Sequence, residues 1–481
     1  MLFKKSIPQL IAEANENGEH TLKRTLSSSG LIALGVGAII GAGLFSLTGI
    51  AAAENAGPAV ILSFIIAAVG CGFAGLCYAE FASMIPVAGS AYTYSYATMG
   101  EFVAWIIGWD LVLEYALAGA TVAVSWSQYF NQLLMIFHIQ LPDTLLKGPW
   151  EGGVVNLPAI IIVCLLSLLL MRGTQESSRV NNILVILKVG VVLIFIALGW
   201  SFINPANHDP FIPVNAGEEL VKSGQQSFWS FLKSDDFGHF GISGVLRAAG
   251  VVFFAFIGFD AVSTAAQEAK NPKKGMPIGI IGSLIICTLL YVLFSYVMTG
   301  IEHYTTAFAR TGYHFLNTAL IITIIAGYTS VILVMLLGQS RVFYSMSKDG
   351  LLPKIFSDLS KRQTPWKTNA IFMVFVSIFA GFVPVSDLGH MVSIGTLFAF
   401  TLVCVGILVL RKTDPNLERP FKTPLVPFVP IMGILVCILM MASLPIESWE
   451  RLAVWLGIGL LIYFVYGKKH SVIRKQHQNQ Q

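Results

Sequence analysis

The residues that could do chemistry in this sequence are the few ionisable side chains inside its apolar stretches. Lys188 lies about five residues into the apolar part of the stretch 181–203, Asp110 and Glu114 stand four apart within 101–130, and Asp260 follows Gly258 within 241–267. A charge held inside a bilayer costs about 3 kcal/mol or more, so such a group serves a partner, a cavity or a moving ion. At about 8 Å along a helix, the Lys188 stem also has the alternative of snorkelling to the interface. Asp110 and Glu114 share one helix face and repel unless one is protonated or paired. Asp260 has a second reading as a cap of the following half-helix, together with Ser263 and Thr264. Glu80 is expected at a helix interface or at the membrane surface near Pro86. No nucleophile–base pair and no H-E-x-x-H pattern occurs in the apolar stretches, and the histidines have no ligand spacing. An enzyme, a bound metal and a cofactor are therefore not expected.

A second feature is backbone rather than side chain. Gly35, Gly37, Gly41 and Gly43 put four glycines into nine residues of an otherwise apolar stretch. Glycine disfavours a helix by about 1 kcal/mol, so this stretch can unwind. Close helix packing through Gly37-x-x-x-Gly41 is the alternative. In Val252-Phe-Phe-Ala-Phe-Ile-Gly-Phe-Asp260, a glycine and a carboxylate again interrupt an apolar stretch. A broken helix exposes N–H groups at one half-helix start and C=O groups at the other half-helix end. The first attract a carboxylate and the second an ammonium, the charge pair of an amino acid.

The elements that must hold these residues follow from composition. Of 481 residues, 55% are hydrophobic and 12% charged, with a mean hydropathy of +0.73, too apolar for soluble cores. Twelve apolar runs fall at 29–52, 58–82, 101–130, 155–171, 181–203, 241–267, 276–301, 315–346, 368–384, 387–411, 425–445 and 447–466. At about 20 residues per crossing they predict an all-α polytopic membrane protein of about 12 helices. The segments 131–154 and 204–240 read as ordered loops, too short for a second domain. A net charge of +4 is too small for a nucleic-acid footprint. The six cysteines all lie in apolar runs and read as buried thiols. Ile7, Leu10, Ile11 and Ala14 have the spacing of a short helix on the membrane surface, and no removable signal peptide is expected. With both termini inside, 23 of the 30 Lys and Arg flank the cytoplasmic side, six lie outside, and Lys188 lies within a run. That bias predicts cytoplasmic termini.

Gly37-Ala-Ile-Ile-Gly-Ala-Gly-Leu-Phe45, Phe253-Phe-Ala-Phe-Ile-Gly-Phe-Asp-Ala-Val262 with Glu268-Ala-Lys-Asn-Pro272, and Arg341-Val-Phe-Tyr-Ser-Met with Asp349-Gly-Leu-Leu-Pro353 resemble the amino acid–polyamine–organocation superfamily. Arg419-Pro-Phe-Lys-Thr-Pro424 is similar to its cationic amino acid transporter branch, in its bacterial type. The resemblance covers about residues 20–465. It implies a five-plus-five inverted repeat of the LeuT type with broken helices 1 and 6 and two extra C-terminal helices. The implied division is a cytoplasmic N-terminus 1–28, a first repeat 29–203, an extracellular loop 204–240 and a second repeat 241–411. The last two helices at 412–466 and a cytoplasmic tail 467–481 complete it.

By the same resemblance, the substrate carboxylate meets the N–H groups of Ala42, Gly43 and Leu44, and the ammonium meets carbonyls of Ile39, Phe254 and Ile257. Phe254 is the candidate aromatic gate, against an alternative as a core or lipid-facing aromatic, and Ala255 adds to an apolar lining. Many relatives carry Thr or Ser where Ala42 stands, so one hydroxyl donor is absent here. Proton-coupled members have a lysine at the position of Lys188, whose amine takes the place of sodium and can release and regain a proton. Glu114, followed by Tyr115, and Asp260 are the further gating or proton-linked candidates. The implied function is proton-coupled uptake of L-amino acids, neutral ones favoured, across the plasma membrane by a monomer or weak oligomer surrounded by lipid. Alternatives are a cationic amino acid or polyamine permease or exchanger and, further off, a membrane sensor of amino acids.

Overall fold

The computed structural model describes residues 3–5, 10, 26–85, 90–172, 178–231, 234, 236–264, 266, 269–301, 314–360 and 364–479. Among these, eight helices are long and apolar enough to cross a membrane, and four shorter apolar helices span Ser28–Ile39, Leu157–Met171, Trp366–Phe382 and Phe428–Ser443. The only β pairing among the described residues is the isolated bridge between Leu26 and Ala269. The chain is an all-helical, polytopic membrane protein. Each of the twelve apolar runs contains helix, because a backbone in hydrocarbon must satisfy its polar groups within the segment. Local signals set several ends. Ser27 caps Ser28–Ile39 through its hydroxyl, and Asn156 caps Leu157–Met171 through its side-chain carbonyl.

The two predicted breaks are present. Run 1 is helical over Ser28–Ile39, turns extended at Ile40 (ψ 104°) and resumes in helical turns from Gly43 to Ala56. Run 6 is helical over Gly241–Val252, tightens over Phe253–Phe256, extends at Ile257 (ψ 136°) and passes Gly258 at φ 113°. The breaks lie back to back. A Cβ on Gly43 would run into the backbone of Ala255, and one on Gly258 would lie 3.0 Å from the backbone of Ala38. The glycines thus serve both readings of the sequence, loosening the helix and permitting close approach.

Loops and chain ends brace this centre. In 204–240, the helix Ala216–Lys222 presents Glu218, whose carboxylate accepts from the N–H groups of Ser243 at 2.7 Å and Ile242 at 3.2 Å. It caps the start of run 6. The Asn55 amide donates to the Gly238 carbonyl at 2.8 Å, and the Phe240 N–H donates to the Asn55 carbonyl at 2.6 Å, which ties the same loop to the end of run 1. On the opposite face, fully buried Glu80 of run 2 is held by Arg411 in two bonds of 2.8 and 3.0 Å, and its Oε1 lies 3.1 Å from Arg419. Glu101, at the start of run 3, accepts from Tyr463, Arg474 and Ser471. The Arg474 guanidinium lies over the ring of Phe3, so both chain ends meet on this face. Leu10 is helical and buried, whereas Ile7, Ile11 and Ala14 lie outside the described residues.

Alanine at Gly43 or Gly258 is expected to destabilise the fold by about 1–3 kcal/mol, because one backbone must retreat from the other. Gly49, within a helical turn, has no atom within 4 Å of a would-be Cβ, so Gly49→Ala is expected to leave the unfolding temperature unchanged or raise it slightly. Thermal unfolding of the three variants in lipid nanodiscs checks this contrast.

Candidate functional site

The first half-helix of run 1 ends inside the protein, so its last carbonyls lack intrahelical partners. Two are satisfied from elsewhere in the sequence. The Lys188 amine donates to the Gly37 carbonyl at 2.8 Å and to the Ser330 hydroxyl at 3.3 Å. The Tyr291 hydroxyl reaches the Ile39 carbonyl at 3.0 Å and the Ala255 carbonyl at 2.8 Å, joining runs 1 and 6. A hydroxyl has one proton, so the two carbonyls share it. The Phe254 carbonyl accepts from the Ile257 N–H at 3.2 Å, and the Leu44 N–H turns back to the Gly41 carbonyl at 3.2 Å.

The sequence-predicted residues fall into two groups. Ile39, Ala42, Gly43, Leu44, Phe254, Ala255 and Ile257 gather at the crossed breaks, and all seven are buried. Lys188 reaches the same break from run 5 and is only 3% exposed; its amine turns inward to Gly37 rather than snorkelling to an interface. Ile40, Phe45, Val191, Ile324 and Tyr328, among others, pack around it.

Glu114 and Asp260 form the second group. Glu114 sits in a wide helical turn, Leu113–Leu117, that interrupts run 3, a deviation frequent at functional sites. Tyr115 donates to Asp260 Oδ2 at 2.6 Å and Ser90 donates to it at 3.4 Å. Asp260 and Glu114 face each other. Two carboxyl groups this close in hydrocarbon repel when both are ionised. Neither oxygen of Asp110 has a hydrogen-bond partner among the described residues. Asp110 lies beside run 10, with Oδ1 at 3.1 Å from a would-be Cβ on Gly395.

The sequence that folds in this way has relatives among known proteins. A sequence profile of the family described as amino acid permease matches residues 26–465. The branched-chain amino acid permease of Bacillus subtilis is 45% identical, over 98% of both chains. The methylthioribose transporter of the same organism is 40% identical over 98% of this chain and 99% of its own. A vacuolar cationic amino acid transporter of Arabidopsis thaliana is 38% identical over 84% of this chain and 62% of its own. The chain belongs to the amino acid permease family of the amino acid–polyamine–organocation superfamily.

All seven residues at the crossing are buried, so the centre of this permease is closed off from solvent in this structure. Tyr291 and Ser330 were not singled out in the sequence. A tyrosine within Leu289-Leu-Tyr-Val-Leu293 and a serine within Tyr328-Thr-Ser-Val-Ile332 have no local pattern that marks them. Only the pairing of each with a residue more than 100 positions away defines its role. Tyr291→Phe keeps the ring and removes the shared proton. One hydrogen bond contributes about 1 kcal/mol, so the permease is expected to bind cargo about fivefold more weakly in equilibrium binding while still folding. Unchanged affinity would separate Tyr291 from the site.

Proposed function

We propose that this permease takes up neutral L-amino acids, small and branched ones favoured, by proton-coupled alternating access across the plasma membrane. In this reading both termini are cytoplasmic and the twelve runs are spans. Residues 29–203 and 241–411 form the two inverted repeats, joined by the extracellular loop 204–240. Residues 1–28 and 467–481 are the cytoplasmic ends, and 412–466 holds the last two spans. Runs 1, 2, 6 and 7 rock against runs 3, 4, 8 and 9.

The observation that carries the proposal is the Lys188 amine on the Gly37 carbonyl, at the end of the inner half-helix of run 1. A cation is favoured at a helix C-terminus by about 0.3–2 kcal/mol. A protonated Lys188 therefore holds the half-helix in place, and its deprotonation weakens that hold. Gain and loss of one proton thus change how firmly run 1 is bound to run 5. Cargo is recognised at the adjacent break, its carboxylate by N–H groups of Ala42, Gly43 and Leu44 and its ammonium by carbonyls of Ile39, Phe254 and Ile257. Phe254 covers it, and Ala255 lines the space. Glu114 and Asp260 form a second proton-linked contact, between run 3 and the exit of run 6. Apolar Ile39, Ala42, Phe254 and Ile257 favour an uncharged side chain, in keeping with the branched-chain permease among the relatives. The cationic transporter among them keeps cationic substrates as the second reading.

Reconstituted in liposomes, the wild-type protein is expected to concentrate labelled leucine in response to an inward proton gradient and to ignore a sodium gradient. Lys188→Met is expected to reduce gradient-driven accumulation at least about tenfold, the loss of one charge-assisted bond. Accumulation that followed sodium would remove the coupling reading, and full accumulation by the variant would remove Lys188 from it. In competition against leucine, alanine, valine and isoleucine are expected to outcompete arginine and lysine by about tenfold or more, since a buried unpaired charge is disfavoured by several kcal/mol. Stronger inhibition by arginine, or by methylthioribose, would assign the site to that cargo instead.

A further inference from the structure

We propose that Gly327 is a positioning residue, the seat on run 8 for the stem of Lys188. This rests on Lys188 being the coupling amine. A Cβ built on Gly327 would lie 2.9 Å from Cε, 3.3 Å from Cγ and 3.5 Å from Cδ of Lys188. The bare backbone at this point is what lets the aliphatic stem lie flat against run 8. From there the amine reaches across to the Gly37 carbonyl at 2.8 Å. Ser330, three residues on and therefore on the same helix face, receives the amine at 3.3 Å. Stem and head of the lysine are thus both placed by one face of run 8.

Backbone geometry does not demand glycine here. Gly327 lies inside the continuous helix His314–Lys348 and has no left-handed φ. In a helix interior, glycine is disfavoured by about 1 kcal/mol against alanine, so an alanine would suit the local structure better. What it would not suit is the stem. Carbon atoms rest at about 3.5–4.0 Å, so a methyl at Gly327 would push Cε away by about 0.6–1 Å. The atom met is near the far end of a flexible side chain, so the stem gives way before the backbone does. The helix itself can stay where it is. A displacement of that size stretches a 2.8 Å bond to about 3.4–3.8 Å, where it is weak or lost, loosening the amine's hold on run 1 without touching either.

Gly190 supplies the control. It stands two residues from Lys188 on run 5, and a Cβ there meets no atom within 4 Å. In liposomes, Gly327→Ala is expected to lose at least about tenfold of proton-driven leucine accumulation, one charge-assisted bond. Its gradient-independent leucine exchange is expected within about threefold of wild type, and the pH profile of its uptake is expected to shift. Gly190→Ala is expected to match wild type in all three. Wild-type accumulation and an unchanged pH profile in Gly327→Ala, with Lys188→Met inactive, would overturn the seat while leaving the coupling amine standing. Wild-type accumulation in Lys188→Met would overturn the coupling amine itself, and the seat with it. Should Gly327→Ala fail to fold, the double variant Lys188→Ala/Gly327→Ala is expected to recover the unfolding temperature of Lys188→Ala, because the clash is with the stem. A double variant that also failed to fold would overturn the proposal.

Discussion

A helix that stops inside a bilayer leaves carbonyls that neither water nor a next turn can satisfy, and that deficit organises the interior of this permease. The inner half of run 1 ends at Ile39. The Gly37 carbonyl is met by an amine from run 5 and the Ile39 carbonyl by a hydroxyl from run 7. The hydroxyl is shared with Ala255 of run 6, so the repair of one break also serves the other. Four runs are therefore tied to a single point by the requirement that unwound backbone not be left bare. Glycine makes this possible twice, at Gly43 and Gly258, where the two backbones approach too closely for a side chain.

The strengths of the contacts are distributed unevenly. At the face where the chain ends meet, buried Glu80 is held by two arginines and by the Thr423 N–H at 2.7 Å. Breaking a buried ion pair by removing one partner destabilises by about 3–5 kcal/mol. Trp109 and Trp455 stack at 4.7 Å and exchange hydrogen bonds with each other's carbonyls, which locks run 3 to run 12. At the crossing, by contrast, the links are one or two hydrogen bonds each, contributing about 1 kcal/mol for the Tyr291 hydroxyl and about 1.5–3 kcal/mol for the charged Lys188 amine. A frame joined by ion pairs and indole stacks can hold its shape while links of that size open and close. In the proposed reading, a buried site whose helices separate requires this order of strengths.

Much of this was legible in the sequence, and for identifiable reasons. Hydrocarbon allows only long apolar helices, so twelve runs were visible as hydropathy alone. Interruption by glycine is likewise local, so the breaks near Gly41 and Gly258 could be read directly. Lys188 stood out because charge is rare in such runs. Tyr291, Gly327 and Glu218 did not stand out, because what each does is set by a partner far along the chain. Tyr291 and Ile39 are 252 residues apart, and no helical or strand period connects them. The wide turn at Leu113–Leu117 that carries Glu114 has the composition of ordinary helix, and only its backbone shows the deviation. The pairing of Glu80 with Arg411 was open for the same reason, a separation of 331 residues.

As proposed, recognition at the crossing is divided between two kinds of group. Backbone N–H and C=O groups are the same whatever residue carries them, so they can read only what every α-amino acid shares, its carboxylate and ammonium. The glycine positions are further constrained by the neighbouring backbone, since a Cβ at Gly43 or Gly258 would strike Ala255 or Ala38. They are not free to vary with cargo. What remains free is the volume and polarity of Ile39, Ala42, Phe254 and Ile257, which pack at the breaks without filling a backbone requirement. In the proposed reading, preference among side chains is therefore set at those four positions, and coupling is set one turn away at Gly37, where Lys188 binds. Because the two sets share no side chain, cargo preference can change by substitution at the lining while the proton-linked contact stays intact.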